Sequence, residues 1–134
     1  MSSINCSFIG STHLYEEGTP YILGKNDNEK SIIIGCNVFM GAHSKIIGNV
    51  SVGYGSIIGA NTTVLKDVPP LSVVVGSEGK IVKRYNMEEY KWDKPENVNT
   101  ELYLSEEEYR ERLLRSFPTI PKFKYAASSK VGWL

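Results

Sequence analysis

From Ile34 onward a large apolar residue returns at every sixth position: Ile34, Met40, Ile46, Val52, Ile58 and Val64. Four positions after each anchor stands a small or β-branched residue: Val38, Ser44, Val50, Ser56, Thr62 and Val68. Neither the 3.6-residue period of a helix nor the two-residue period of a strand generates this spacing. A fixed six-residue repeat is read as a parallel β-helix. The third position after each anchor is Asn37, His43, Asn49, Gly55, Asn61 or Asp67. These residue types tolerate positive φ best, so each hexad is predicted to carry its own left-handed corner. Three hexads then close one triangular coil. Stacking the coils buries a column of anchors that no single coil could bury.

The flanks of the repeat differ from it. Residues 1–10 read as the last piece of an earlier coil, with Ile4 and Ile9 as wall residues and Gly10 following Ile9. An open parallel edge there invites pairing, so it calls for a covering partner or marks a shortened version of a longer architecture. Residues 11–30 break the period and contain Gly18, Pro20, Gly24, Asn26, Asp27 and Asn28, which predicts a loop. Long loops inside compact domains are often functional, and this one carries His13. Pro69 and Pro70 supply no backbone donors and are expected to end regular pairing before the strand-like Ser72–Val75. Past residue 85 the hexads are gone. Ser105 and Glu108 form a capping box opening a helix to about Ser116, with Tyr109, Leu113, Leu114 and Phe117 as its apolar stripe. Pro118 and Pro121 stop it. The aromatics of the last stretch, Trp133 among them, predict docking on a coil face or on a neighbour. The expected division is a coil domain over 1–85, interrupted by 11–30, and a tail over 86–134 with one short helix.

Composition narrows the class. The formal net charge of the 134 residues is zero, which gives no electrostatic basis for a nucleic-acid partner. No run of about 18 apolar residues exists, so no membrane span is expected. The first ten residues lack the basic start and long apolar core of a secretory signal. Cys6 and Cys36 form neither a disulfide framework nor a metal spacing, which suits reduced thiols in a cytoplasmic protein.

The run VFMGAHSKIIGNVSVGYGSIIGANTTVLKDVPPLSVVVGSEGKIVKR resembles the hexapeptide-repeat acyltransferases. The resemblance spans about Ser7 to Tyr85, and its nearest branch is the acetyl-CoA-dependent O-acetyltransferases of sugars, glycan precursors and antibiotics. It implies an all-β fold, a left-handed parallel β-helix with a C-terminal helical or extended tail. The left hand comes from the resemblance alone, because parallel crossovers are ordinarily right-handed. It also implies a homotrimer with active sites between subunits, a sugar or glycan acceptor, and acetyl-CoA as co-substrate. His13 matches the place of the family's general base. The donor contacts carry over to Gly41, Ala42, Gly59, Ala60, Leu65, Lys66, Lys80 and Lys83, with Arg84 as a further contact. Two departures stand out: Phe39 where the family often has Trp, and Ser77-Glu78-Gly79 where it often has Asn-Pro-Ala.

The chemistry suits a histidine, whose pKa of about 6.5 lies near working pH. No Ser or Cys nucleophile has a histidine in a recognisable setting, so direct transfer in a ternary complex is expected. His43 is explained by its corner position. Two histidines are too few for a three-histidine metal site, so no metal is expected. The competing reading is a non-catalytic coil stack that trimerises or binds a partner. The set Ala42, Ala60, Lys66, Lys80 and Lys83 argues against it, since such a module has no use for a donor track.

Overall fold

The structure, a computed structural model, describes residues 1–10, 13–15, 22–26 and 31–116. The repeat region folds into short parallel strands that sort into three sheets. One contains β1 (Ser7–Ile9), β6 (Lys45–Ile47) and β9 (Thr63–Val64). A second pairs β4 (Ile32–Ile34) with β7 (Val50–Val52), and a bridge carries this face on from Val52 to Val68. The third stacks β5 (Phe39–Met40), β8 (Ile57–Ile58) and β10 (Ser72–Val75). Partners such as Ile46 and Val64, or Met40 and Ile58, stand three hexads apart, as a triangular coil requires.

The anchors and their small companions fill the interior. Ile46, Ile58 and Val74 are completely buried, and Met40, Val50, Val52 and Val64 nearly so. Ser44, Ser56 and Thr62 are equally buried because coils that turn this tightly leave little width beside each anchor. Ile34 is the exception among the anchors and remains exposed.

The corners follow the expected rule at four hexads and depart from it at two. Asn37, His43, Gly55 and Asn61 have φ between 54° and 64°. Asn49 and Asp67 do not take positive φ; Gly48, one residue before Asn49, takes it at 95°. Asn49 and Asp67 serve another purpose. Asn49 Oδ1 accepts from the Ser31 amide at 3.3 Å, and Asp67 Oδ1 from the Ser51 amide at 2.8 Å. Each side chain thereby satisfies a backbone donor of the adjoining coil.

Two further expectations are corrected. Residues 11–30 are not all loop: β2 (His13–Tyr15) and β3 (Ile22–Asn26) pair antiparallel, with His13 opposite Asn26. Gly24 and Asn26, read above as loop markers, lie within β3. Pro69 and Pro70 do not end the coil, because β10 beyond them still pairs in parallel with β8. Their missing donors are tolerated where the chain turns a corner. Regular pairing also runs past residue 85. Strand β11 (Lys80–Asn86) folds back on β10, and β12 (Lys91–Asp93) on β11, both antiparallel. This hairpin extends the third sheet sideways as far as Asp93.

Two single turns of 3-10 helix, Pro95–Asn97 and Thr100–Leu102, lead to helix α1 (Glu106–Ser116). Ser105 and Glu108 cap it reciprocally: Glu108 Oε2 accepts from the Ser105 amide at 3.0 Å, and Ser105 Oγ accepts from the Glu108 amide at 3.3 Å. Tyr109 packs its ring on Tyr54 at 4.7 Å between centroids and accepts from Asn37 Nδ2 at 2.8 Å. Glu106 accepts from the Cys36 amide at 2.5 Å. The helix is thus fastened over the corner made by Cys36, Asn37, Tyr54 and Gly55. Phe117 and the docking expected of the last stretch lie outside the described residues.

Candidate active site

The proposed donor track maps onto one edge of the coil. Gly41 and Ala42 follow β5, Gly59 and Ala60 follow β8, and Gly76 follows β10, so three levels of small residues stack at one corner. The N–H of Gly41 donates to Ile58 O at 2.8 Å, and that of Gly59 to Val74 O at 2.8 Å. The levels sit so tightly that a β-carbon on Gly41 would stand 2.5 Å from the Ala60 nitrogen. Among the described residues neither the Ala42 nor the Ala60 amide has a backbone partner. The edge therefore presents small residues at successive levels, with the Val75 side chain packed beside Gly59.

The lysines are distributed unevenly along it. The turn after Gly76 packs on β9, with Thr63 donating its amide to Gly76 O at 3.2 Å, and leads directly into Lys80. Lys80 is opposite Val75 and Lys83 opposite Val73 on the antiparallel pair. Both are exposed, and among the described residues no carboxylate lies within ion-pair distance of either. Glu78 is exposed on the same turn. Leu65 and Lys66 follow β9 and so occupy the next corner, one sheet away, with both side chains exposed.

Arg84 has a different environment. Its Nη2 donates to Pro70 O at 3.1 Å and its guanidinium lies 4.9 Å from the centre of the Tyr103 ring. Tyr103 in turn donates to Tyr85 O at 2.8 Å. Arg84 therefore ties β11 and the segment before α1 to the Pro70 corner. His13 is the first residue of β2, and its side chain lies outside the described features. Gly76, with φ of 90° and open space around it, completes the edge. Its signal in the sequence was the Val-Gly step at 75–76, which repeats the anchor-glycine pattern out of period.

Cys36 sits half-buried beneath α1. Burial pushes its thiol pKa up, and the Glu106 carboxylate adds to the effect by charge and hydrogen bonding. A thiol so placed is a poor nucleophile near neutral pH. Among the described residues no cluster of metal-ligating side chains occurs.

The chain is similar to known acetyltransferases. The serine acetyltransferase of Buchnera aphidicola is 46% identical over 67 residues, which is 50% of this chain and 24% of that enzyme. A maltose O-acetyltransferase structure from Clostridium difficile superposes with a TM-score of 0.56 at 26% identity, over 63% of this chain and 44% of the other. A hexapeptide-repeat acetyltransferase of Vibrio cholerae, solved with acetyl-coenzyme A, gives 0.52 at 26%, over 59% and 42%. The relatives of this chain are hexapeptide-repeat acetyltransferases. The match spans only about a quarter of the length of the Buchnera relative. No family model matches the chain.

Proposed function

We propose that this protein is an acetyl-CoA-dependent O-acetyltransferase acting on a sugar or glycan-type hydroxyl. The observation that carries the reading is the stacked edge Gly41-Ala42, Gly59-Ala60 and Gly76, with Lys80 beyond its end. The similarity to a maltose O-acetyltransferase and to an acetyltransferase solved with acetyl-coenzyme A supports it. In this reading the coil is left-handed and three copies associate so that each site lies between two neighbours.

The donor lies along the edge, its amides meeting free backbone groups and its phosphates meeting Lys80 and Lys83 as point charges. Leu65 and Lys66 contact it from the next corner. Arg84 acts by holding β11, and with it the lysines, in place. His13 takes the proton of the acceptor hydroxyl as its oxygen attacks the thioester carbonyl. Backbone N–H groups at a coil corner stabilise the oxyanion. The carbon–sulfur bond then breaks, and the leaving thiolate recovers the proton from the imidazolium. The acceptor leaves as its acetyl ester, with the thiol form of coenzyme A as the second product.

A second reading has its own observation. The identity to serine acetyltransferase over half of the chain favours a serine hydroxyl as acceptor, with the same donor chemistry. Free-thiol release from acetyl-CoA, screened against sugars, nucleotide sugars and serine, decides between them. Thermal shift with acetyl-CoA and dephospho-CoA tests the donor site. Absence of stabilisation by either at millimolar concentration would favour the non-catalytic module.

A further inference from the structure

A groove of about 640 Å³ lies between the outer face of the third sheet and α1. That is the size of an ordinary small-molecule site. Five aromatic residues line it: Phe39 from β5, Tyr85, Tyr90 and Trp92 from the β11–β12 hairpin, and Tyr109 from α1. Among the described residues Arg112 of α1 is the one charged side chain of the lining. The groove is separate from the Gly41–Gly59 edge, none of whose glycines or alanines line it.

The aromatic walls are held by the fold itself. Tyr85 and Trp92 are paired across β11 and β12, and their rings meet edge to face at 5.3 Å. Tyr109 is fixed from behind by Tyr54 and Asn37. Tyr90 stands on a turn shaped by Asn86, whose Oδ1 accepts from the Glu88 and Glu89 amides at 2.9 and 3.1 Å. The φ of Tyr90 is 53°, a conformation that ordinarily goes to Gly, Asn or Asp. Its side chain is 78% exposed, so burial does little to offset that strain. Strained residues of this kind cluster at ligand sites.

The charge selects an anion. Arg112 stands four residues after Glu108 on α1, the spacing of an ordinary helix ion pair. Glu108 is drawn to the cap instead, where its Oε2 accepts from the Ser105 amide at 3.0 Å and from the Ser105 hydroxyl at 2.8 Å. Among the described residues no carboxylate lies within ion-pair distance of Arg112. Tyr109, three residues before Arg112, shares its side of the helix. The Tyr109 hydroxyl accepts from Asn37 and, among the described residues, has no acceptor for its own proton. A guanidinium and a hydroxyl so placed suit a carboxylate or a phosphate. The aromatic walls suit a planar ring.

We propose that this groove binds a planar aromatic anion, with its ring among Phe39, Tyr90 and Trp92 and its carboxylate or phosphate on Arg112 and Tyr109. Binding there is independent of the acetyl-transfer reaction.

Naphthyl phosphate is the probe, titrated into the 15N-labelled full chain without acetyl-CoA. The Trp92 indole, assigned through Trp92→Phe, and the Arg112 amide report on the groove, and both should shift saturably. Naphthol lacks the anion and inorganic phosphate lacks the ring, so each should bind at least about tenfold more weakly, as loss of one charge-assisted hydrogen bond implies. Arg112 is exposed, so Arg112→Gln leaves the fold intact. That variant should lose about tenfold in affinity for naphthyl phosphate and none for naphthol. Phe39→Ala should weaken both. A parallel titration with UMP separates two sources of the same chemistry. Binding of UMP as tight as that of naphthyl phosphate supports the proposal with a nucleotide as ligand, and binding of naphthyl phosphate alone supports it with a simpler aryl anion. Absence of a saturable Trp92 shift at millimolar concentration would overturn the proposal, as would equal affinity for naphthol or undiminished affinity in Arg112→Gln. Displacement of naphthyl phosphate by acetyl-CoA would make the groove part of the donor site and overturn it too.

Discussion

Gly41 lies so close to Ala60 that a β-carbon on it would stand 2.5 Å from the Ala60 nitrogen and 2.9 Å from its Cα. The obstacle is backbone, which cannot swing aside as a flexible side chain does. Gly41→Ala is therefore expected to push two coils apart and cost about 1–3 kcal/mol, the usual range for overpacking. Gly48 provides the contrast: nothing lies within 4 Å of its added carbon, and only its φ of 95° opposes a side chain. Gly48→Ala should cost about 1–2 kcal/mol through the backbone alone. Urea unfolding of both variants checks this, and only Gly41→Ala should also weaken acetyl-CoA binding.

Thr62 is buried with its hydroxyl unpartnered among the described residues. An unsatisfied buried hydroxyl costs about 1–3 kcal/mol in desolvation. Thr62→Val keeps the shape and removes the polar atom, so stability should rise by about 1 kcal/mol. Ser72 is the control, since its hydroxyl donates to Pro69 O at 2.7 Å. Ser72→Ala should destabilise, and a common denaturation protocol would show the opposite signs.

His13→Ala tests the proposed base. General-base catalysis contributes about 10²–10⁴-fold, so kcat should fall by at least 100-fold while acetyl-CoA still raises the melting temperature. An unchanged rate with donor binding intact would remove His13 from the mechanism.

Cys36 gives a pH signature. Its thiol pKa is raised by burial first and then by Glu106. The folded state thus resists thiolate formation. Below the unfolded thiol pKa this has no effect on stability. As pH climbs from that value through the raised folded one, the unfolded chain loses its proton first and stability falls. Glu106→Gln removes the charge contribution and leaves burial. In a Cys6→Ser background, the midpoint of the alkylation rate against pH should move down in Glu106→Gln but stay above that of the unfolded chain.

The cap at Ser105 joins α1 to the coil, because Glu106 one residue later holds the Cys36 amide. Ser105→Ala should cost about 1 kcal/mol. Hydrogen exchange should speed up first at Tyr109 and its neighbours, leaving Ile46 and Ile58 protected.

The six-residue period by itself determined which residues face the interior. Met40, Ile46, Val52, Ile58 and Val64 are buried where the spacing placed them, with Ser44, Ser56 and Thr62 beside them. That information is local and radial: each hexad states which way its residues point and needs no knowledge of distant parts. The corner rule was legible to the same depth and failed where side chains had other partners, at Asn49 and Asp67. Aperiodic segments carry no such code. Only the tertiary structure decided that β2 and β3 pair, that β10 continues the coil past Pro70, and that Arg84 is held by Pro70 and Tyr103. It likewise decided that α1 closes over the Cys36 corner and leaves a groove beside Trp92. These arrangements rest on contacts between residues far apart in the chain, and each is selected by complementarity that exists only once the coils have stacked.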